Sequence, residues 1–372
     1  MMLKRVLFLL CVFPLTASSA IANGFMQTEL SASATGRGNA FVATADDVSA
    51  AMYNPSGKAW QVGWDAQLGY LVDYRNSSVR LAGGVAPNLG LEPNQVYVHA
   101  GWMPLDGNIG FTFAYTPMYY LQNDWGSVFG VANGVTTLRV DDVAADAVYA
   151  WNSSLAMSMG LDWYLSDINL QRGATIFQAR DYASFGAHAS LMWKFLPGWS
   201  LGVMARSGSS INLSNAGRSL KVRLPDRVQA GLAWQVADRW RIEGDVTWAR
   251  WSRMRDMNLR SSAGAVVAAN PLAMRDTVSF ASGLVWTWRE GTEARLGYAF
   301  EQGAQRAQGM NPMIADQDGH RVSIGFGGDA FGLHLDAAYS YTFYPKRVVT
   351  GAFAGTYRDR RQTIAVSMSR HF

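Results

Sequence analysis

The chain has 372 residues, of which only 16% are charged against a typical ~25%, while its hydrophobic fraction of 49% is ordinary for a folded protein. With 37 glycines, 14 tryptophans and a mean hydropathy of −0.03, it is neither disordered, collagenous nor a coiled coil, nor a bundle of membrane helices, which need runs of ~20 apolar residues. The net charge of +4 is scattered and too weak to imply a nucleic-acid partner.

Residues 1–22 read as an export signal. Lys4 and Arg5 precede an apolar stretch broken by Pro14, and Ala20-Ile21-Ala22 places small residues at −3 and −1 of a cleavage site after Ala22. Leu10 is too large to precede a lipidated Cys11, and the apolar stretch is too short for a comfortable membrane anchor. Cleavage removes Cys11, the only cysteine, so the mature chain carries no disulfide or thiol chemistry.

Residues 23–63 are rich in Ala, Ser and Gly, with a short helix expected near 46–53 and a turn at Asn54-Pro55. Asn tolerates unusual backbone geometry and Pro fixes φ, so the pair suits a tight turn. This segment has no core of its own, and its small side chains suit the lumen of a barrel, which predicts an N-terminal hatch, or plug.

From residue 64 onward the dominant signal is period two. Trp64, Ala66, Leu68, Tyr70, Val72 and Tyr74 alternate with Asp65, Gln67, Gly69, Leu71 and Asp73, and the pattern recurs through Ile364, Val366, Met368, Arg370 and Phe372. Aromatic residues gather at strand ends, as in the girdles of a membrane barrel. Tight turns such as Pro104-Leu105-Asp106-Gly107-Asn108 and Leu196-Pro197-Gly198 alternate with long excursions over 118–137 and 253–275. Together these predict an all-β fold, a transmembrane antiparallel barrel of about fourteen strands filling residues 64–372. The strands begin near residues 64, 94, 108, 137, 155, 182, 199, 226, 240, 276, 293, 320, 333 and 361. The apolar stretch 78–86 is assigned to an outer loop, because an odd strand count would put the termini on opposite sides. The final strand, ending on Phe372, is the expected contact for the barrel-assembly machinery, and the barrel is expected to be a monomer in outer-membrane lipid.

No catalytic, cofactor-binding or metal-ligating residue is assigned. His188 and Ser190, two apart on one strand face, are ~7 Å apart and do not by themselves make a dyad. The five histidines lack metal spacing, and Gly36-x-Gly38 precedes no βαβ unit. The basic run 358–361 is expected to lie in the last outer loop, solvated or facing lipopolysaccharide.

Asn23-Gly24-Phe25, then Gly36, Gly38 and Ala40, Ala45-Asp46-Asp47 and Asn54-Pro55 resemble the hatch of the FadL family of outer-membrane transporters for long-chain fatty acids and aromatic hydrocarbons. The resemblance continues through Ser200-Leu201-Gly202, Leu224-Pro225-Asp226, Asp245-Val246-Thr247-Trp248 with Trp251-Ser252, Arg295-Leu296-Gly297-Tyr298 and His320-Arg321-Val322-Ser323, in order across the mature chain. Two departures are Ser56, where the family usually has Ala, and outer loops short for the family. The resemblance implies passive uptake of hydrophobic compounds into a Gram-negative cell without nucleotide or ion coupling. Fatty acids are the first expectation and monoaromatic hydrocarbons the alternative; a general porin and an outer-membrane lipase are minor ones. It also implies that Asn23, Gly24 and Phe25 reach the ligand pocket, Phe25 acting as a gate or only as a packing anchor. Family members release ligand sideways near a kinked third strand, here 108–117, where Gly110 loosens pairing and Pro117 either contributes to the opening or merely ends the strand.

Overall fold

The computed structural model describes residues 24–90, 94–129, 134–272, 274–306, 310–314, 316–351 and 353–372 and, apart from Arg172 and Met313, their side chains. The expected export signal, residues 1–22, and Asn23 lie outside the described residues. One antiparallel sheet of sixteen strands dominates, and two of these, Gly84–Pro87 and Arg347–Val349, are short returns outside the wall. The remaining fourteen form a closed barrel: β1 (Gly63–Leu81), β2 (Gln95–Met103), β3 (Ile109–Asp124), β4 (Val135–Ala150), β5 (Leu155–Arg172), β6 (Thr175–Leu196) and β7 (Trp199–Arg206) come first. They are followed by β8 (Arg227–Ala237), β9 (Trp240–Ala249), β10 (Thr277–Arg289), β11 (Thr292–Glu301), β12 (Gly319–Ala330), β13 (Leu333–Phe343) and β14 (Gly355–His371). Closure comes from β14 against β1, in register from Asp65 opposite His371 to Arg80 opposite Thr356. The barrel therefore has no free outer edge at its seam.

Alternation decides which side chains meet lipid. Along β14, Ile364, Val366 and Met368 are exposed outward, while Thr363 and Ala365 are fully buried within. Outward aromatics stack at the end carrying the short turns: Trp102 on Phe111 at 6.2 Å, Trp199 on Trp234 at 5.0 Å, Trp240 on Trp286 at 5.5 Å. Such rings, apolar in body and polar at one edge, mark a membrane interface. At the opposite end, Ser210–Asn215, Arg218–Arg223, Leu259–Ser261 and Val266–Ala268 form a separate four-stranded sheet over the long loops.

Three strand ends differ from the sequence expectation. Strand β6 starts at Thr175 rather than near 182 and β14 at Gly355 rather than near 361, because both extend beyond the lipid band, where hydrophobic alternation fades. Strand β3 continues through Pro117 to Asp124, which shortens the following connection to residues 125–134. The stretch 78–86 is the top of β1 with the short return strand, not a further barrel strand.

Residues 24–62 fill the lumen with α1 (Ala32–Gly36), α2 (Ala50–Tyr53) and a 3₁₀ turn, Pro55–Trp60. The helix expected over 46–53 is thus a single turn, and the other two elements carried no periodic signal. Small residues let this chain press against the wall. A Cβ at Gly36 would lie 2.8 Å from the Gly325 Cα, and Gly38, at φ +70°, would meet the Tyr298 backbone at 2.8 Å. This close approach is the physical content of the G-x-G pattern.

The hatch lacks a hydrogen-bonded sheet of its own, so wall side chains supply the partners that its backbone needs. Asp245 accepts from the N–H of Phe41 at 2.9 Å and of Val42 at 3.1 Å. Glu243 accepts from Ala43 N–H at 2.5 Å and from the Thr44 hydroxyl at 2.6 Å. The Tyr97 hydroxyl accepts from Ala32 N–H at 2.9 Å, and Ser323 from Gly38 N–H at 3.0 Å. Each buried donor left unmet costs about 1–3 kcal/mol. Replacing both acids, Glu243→Ala with Asp245→Ala, is expected to loosen the hatch while the barrel stays folded. Ion conductance in planar bilayers should rise, with heat-dependent gel mobility unchanged; conductance equal to the parent would contradict the clamp.

Candidate functional site

The wall is interrupted on one side of β3. Strands β2 and β3 pair only from Trp102 opposite Phe111 to Val98 opposite Tyr115. Gln95, Val96 and Tyr97 run on beyond the last pair, still bonded to β1 but not to β3. On the other side, β3 and β4 shift register between Pro117 and Tyr119, a bulge that turns Met118 and Tyr119 both into the lumen. Pro117 has no N–H to offer a neighbour, which suits the place where pairing is given up. Contact resumes higher up: Leu89 N–H donates to the Asp124 carbonyl at 2.8 Å, and the Asn88 amide to Asn123 at 2.6 Å. A gap in the ladder thus lies between these levels.

Residues 25–27 take the edge that β2 leaves free. Gln27 N–H donates to the Met118 carbonyl at 2.8 Å, and Tyr120 N–H to the Phe25 carbonyl at 2.9 Å, bracketing an antiparallel bridge of Met26 with Tyr119. This is strand addition from within the same molecule. The Phe25 ring lies 5.0 Å from Trp251 and 5.9 Å from Tyr119, both edge-on. Gly24 is required beside it: at φ +71° a Cβ would fall 2.4 Å from the Trp251 indole. Trp251, part of the family-like Trp251-Ser252 match, is fully buried in the 3₁₀ turn Trp251–Arg253 after β9 and is a site residue whose place beside Phe25 the sequence did not give.

Above and around this contact the lumen is apolar, with Leu30, Met52, Met118, Leu224, Met254 and Met274 in one buried cluster that reaches the long-loop end. Flexible thioethers suit ligands of varied shape. Beside Met26, Leu30 and Met52 lies a cavity of only about 40 Å³, against the several hundred Å³ of ordinary ligand pockets. In this closed arrangement a hydrophobic ligand has to displace protein to pass.

Arg227, at the start of β8, lines that cavity. Its guanidinium is buried, its Nη1 donates to the Met26 sulfur at 3.6 Å, and among the described residues no carboxylate lies within ion-pair distance. Three other buried cations are ion-paired, Arg321 with Glu29 and Glu301, Arg361 with Asp73, and Arg206 with Asp142 and Asp162, while buried Arg347 donates to the backbone carbonyls of Asp316 and Gln305. Burial would raise the Glu29 carboxyl, but Arg321 and Arg361 outweigh it and hold it below the ordinary range.

The expected hatch turn is built around Asn54. Its amide donates to Val42 O at 2.7 Å and to the wall at Leu191 O at 3.1 Å, its oxygen accepts from Ser56 N–H, and Pro55 opens the 3₁₀ turn. The hydroxyl of Ser56, where the family usually has Ala, meets Ser190 of β6 at 2.7 Å. Ser190 is shared with Ser158, while His188 faces Asp146 at 2.7 Å and Asp162 at 2.9 Å, so the two residues of the considered dyad belong to separate contacts. Gly110 stands near the other end of β3, opposite Val148 in intact ladder, and is not brought to the gap.

Residues 182–370 match the family model described as outer membrane protein transport protein (OMPP1/FadL/TodX), which covers half of the chain. The chain belongs to this family. Within the OMPP1/FadL/TodX group, a 106-residue stretch is 26% identical to the long-chain fatty acid transport protein of Salmonella typhi, covering 28% of this chain and 24% of that protein. The match thus spans about a quarter of that relative's length. Two crystal structures share the fold. A FadL homologue of Pseudomonas aeruginosa aligns over 94% of this chain and 100% of its own at a TM-score of 0.84 and 17% identity. The toluene transporter TodX of P. putida aligns over 94% and 99% at 0.73 and 16% identity.

One further group touches the FadL-type N-terminus. Asp316, in the loop between β11 and β12, accepts from the N–H of Ala304 at 2.6 Å and of Gln305 at 3.0 Å, and the Gly24 N–H also faces it. Burial pushes its carboxyl up to about 7 against the pull of those N–H groups and Arg347. The folded loop therefore binds this proton more tightly than the unfolded chain, so stability falls as pH rises from about 4 to about 7 and the loss is complete above it. Hydrogen exchange of residues 24–28, corrected for intrinsic rate, should be better protected at pH 5 than at pH 8. Asp316→Asn should flatten that difference; a difference that persists in the variant would remove Asp316 as its source.

Proposed function

We propose that the protein carries long-chain fatty acids passively across the outer membrane of a Gram-negative bacterium, with sideways release between β2 and β3. In this reading an incoming acyl chain enters the methionine-rich upper lumen, displaces Phe25 and Met26 from the β3 edge, and leaves through the vacated gap. Burying its methylenes in place of the N-terminus contributes roughly 25 cal/mol per Å². A ligand that binds the displaced state ~100-fold better than the closed one shifts the balance by about 2.7 kcal/mol, enough for gating without nucleotide or ion coupling. After cleavage behind Ala22, the gating segment is the first stretch of the mature chain.

The observation that carries the substrate class is Arg227. A buried guanidinium without an anion is costly, and a fatty-acid carboxylate beside Met26 would pair it, whereas toluene-like hydrocarbons have no group to offer. Arg227→Gln, at equal outer-membrane abundance, is expected to lower oleate uptake about tenfold, the loss of roughly one charge-assisted hydrogen bond, and to leave toluene uptake unchanged. Oleate uptake equal to the parent, or an equal fall for both compounds, would contradict carboxylate recognition.

A further inference from the structure

The basic run near the C-terminus splits by strand alternation into two functions. On β14, Asp359 and Arg361 turn into the lumen, Asp359 holding Arg75 at 2.5 Å and Arg361 holding Asp73 at 2.6 Å. Arg358 and Arg360 are exposed on the outside of the barrel. Across the seam on β1, Ser78 stands opposite Arg358 and Asn76 opposite Arg360, with exposed Arg80 two residues further up, opposite Thr356. Exposed Lys346 directly precedes Arg347, which pairs with Tyr357. Four cations thus share one outer face. Among the described residues none has a carboxylate within ion-pair distance, because the buried acids of these strands, Asp73, Asp336 and Asp359, face inward.

Their height on the barrel is fixed by the lipid-facing residues beneath them. From Trp64 to Tyr74, β1 climbs about 33 Å along the strand at ~3.3 Å per residue. At a tilt of about 40° this is about 25 Å of vertical rise, the height of an apolar band. Tyr74 and, opposite it, Gln362 therefore mark the upper interface, with Val72 and Ile364 already in the band. Arg360, Arg358 and Arg80 stand roughly 5 to 15 Å above, on the long-loop side, where lipid headgroups begin. Like charges on adjacent strands repel unless an anion lies between them, and guanidinium groups match phosphate oxygens in bidentate fashion.

We propose that the β14–β1 seam carries a binding site for the phosphorylated headgroup of lipopolysaccharide, with Arg80, Arg358 and Arg360 on the phosphates and Lys346 at the rim. The site rests on the family's outer-membrane placement and is independent of the transported substrate. The test is native mass spectrometry of the purified barrel in non-ionic detergent, titrated with bisphosphorylated lipid A and with the same lipid stripped of its phosphates. The triple variant R80Q/R358Q/R360Q should bind lipid A at least about tenfold more weakly than the parent. The charge-matched variant K221Q/R255Q/R260Q, made in the long loops, should bind as the parent does. Heat-dependent gel mobility reports that each barrel is folded. Equal binding by parent and seam variant, equal binding of dephosphorylated lipid by the parent, or an equal loss in the loop variant would each overturn the site.

Discussion

A barrel in lipid must pair every backbone group along its wall, because the bilayer offers no water to a free N–H or C=O. Most neighbour contacts in this barrel meet that demand with long ladders, some interrupted by a bulge, whereas the one between β2 and β3 stops after five pairs. The groups released there, above all the Met118 carbonyl and the Tyr120 N–H, are met by Phe25 and Gln27. The N-terminus is therefore a removable part of the wall's hydrogen bonding. Whatever displaces it reopens a polar gap, and the energy has to come from a ligand that fills the space.

The rest of the hatch is held differently, and the contrast gives the molecule a fixed part and a movable one. Residues from Ala32 to Ser56 are gripped by side chains of the wall, with Asp245 and Glu243 closing on consecutive N–H groups and Ser190 on Ser56. Buried carboxylates are expensive, and here they are offset by two or three donors each. Residues 24–26 meet β3 and its surroundings through the backbone bond at Phe25, ring contacts with Trp251 and Tyr119 and the Arg227 contact at Met26, and polar side-chain anchoring begins at Gln27, which bonds Asp73 and Arg361. Apolar contacts are exchangeable for an acyl chain at little net cost, whereas a carboxylate clamp is not. The same division separates an apolar upper lumen from a polar, filled lower one.

Much of this was legible in the sequence because membrane strands obey a rule of period two that survives without alignment. Fourteen strands, the turn and loop asymmetry and the hatch all follow from it and from the small-residue composition of residues 23–63. Asn54-Pro55 was readable because capping is local chemistry. Pro117 was not, since a proline in a strand pattern more often ends it, and only the pairing of β3 with β4 beyond the bulge shows that the strand continues. Trp251 stood out only as part of a family-like motif and Arg227 not at all, because their roles depend on a segment more than 200 residues away in sequence folding back against them. The run 358–361 read as one patch, while alternation makes it two faces.

On the proposed route, Phe25 to Gln27 leave the β3 edge for ligand to pass. Met26 and Tyr119 form a pair bracketed by the two backbone bonds, the close class of antiparallel pair, with Cα atoms about 4.5 Å apart, within reach of a disulfide. Cysteines at both positions, Met26→Cys with Tyr119→Cys, would lock the segment in place, with Cys11, the single cysteine of the sequence, replaced by Ser. Uptake of labelled oleate in cells carrying this variant should fall to background when oxidised and recover on reduction. Undiminished uptake with the disulfide formed would contradict the account.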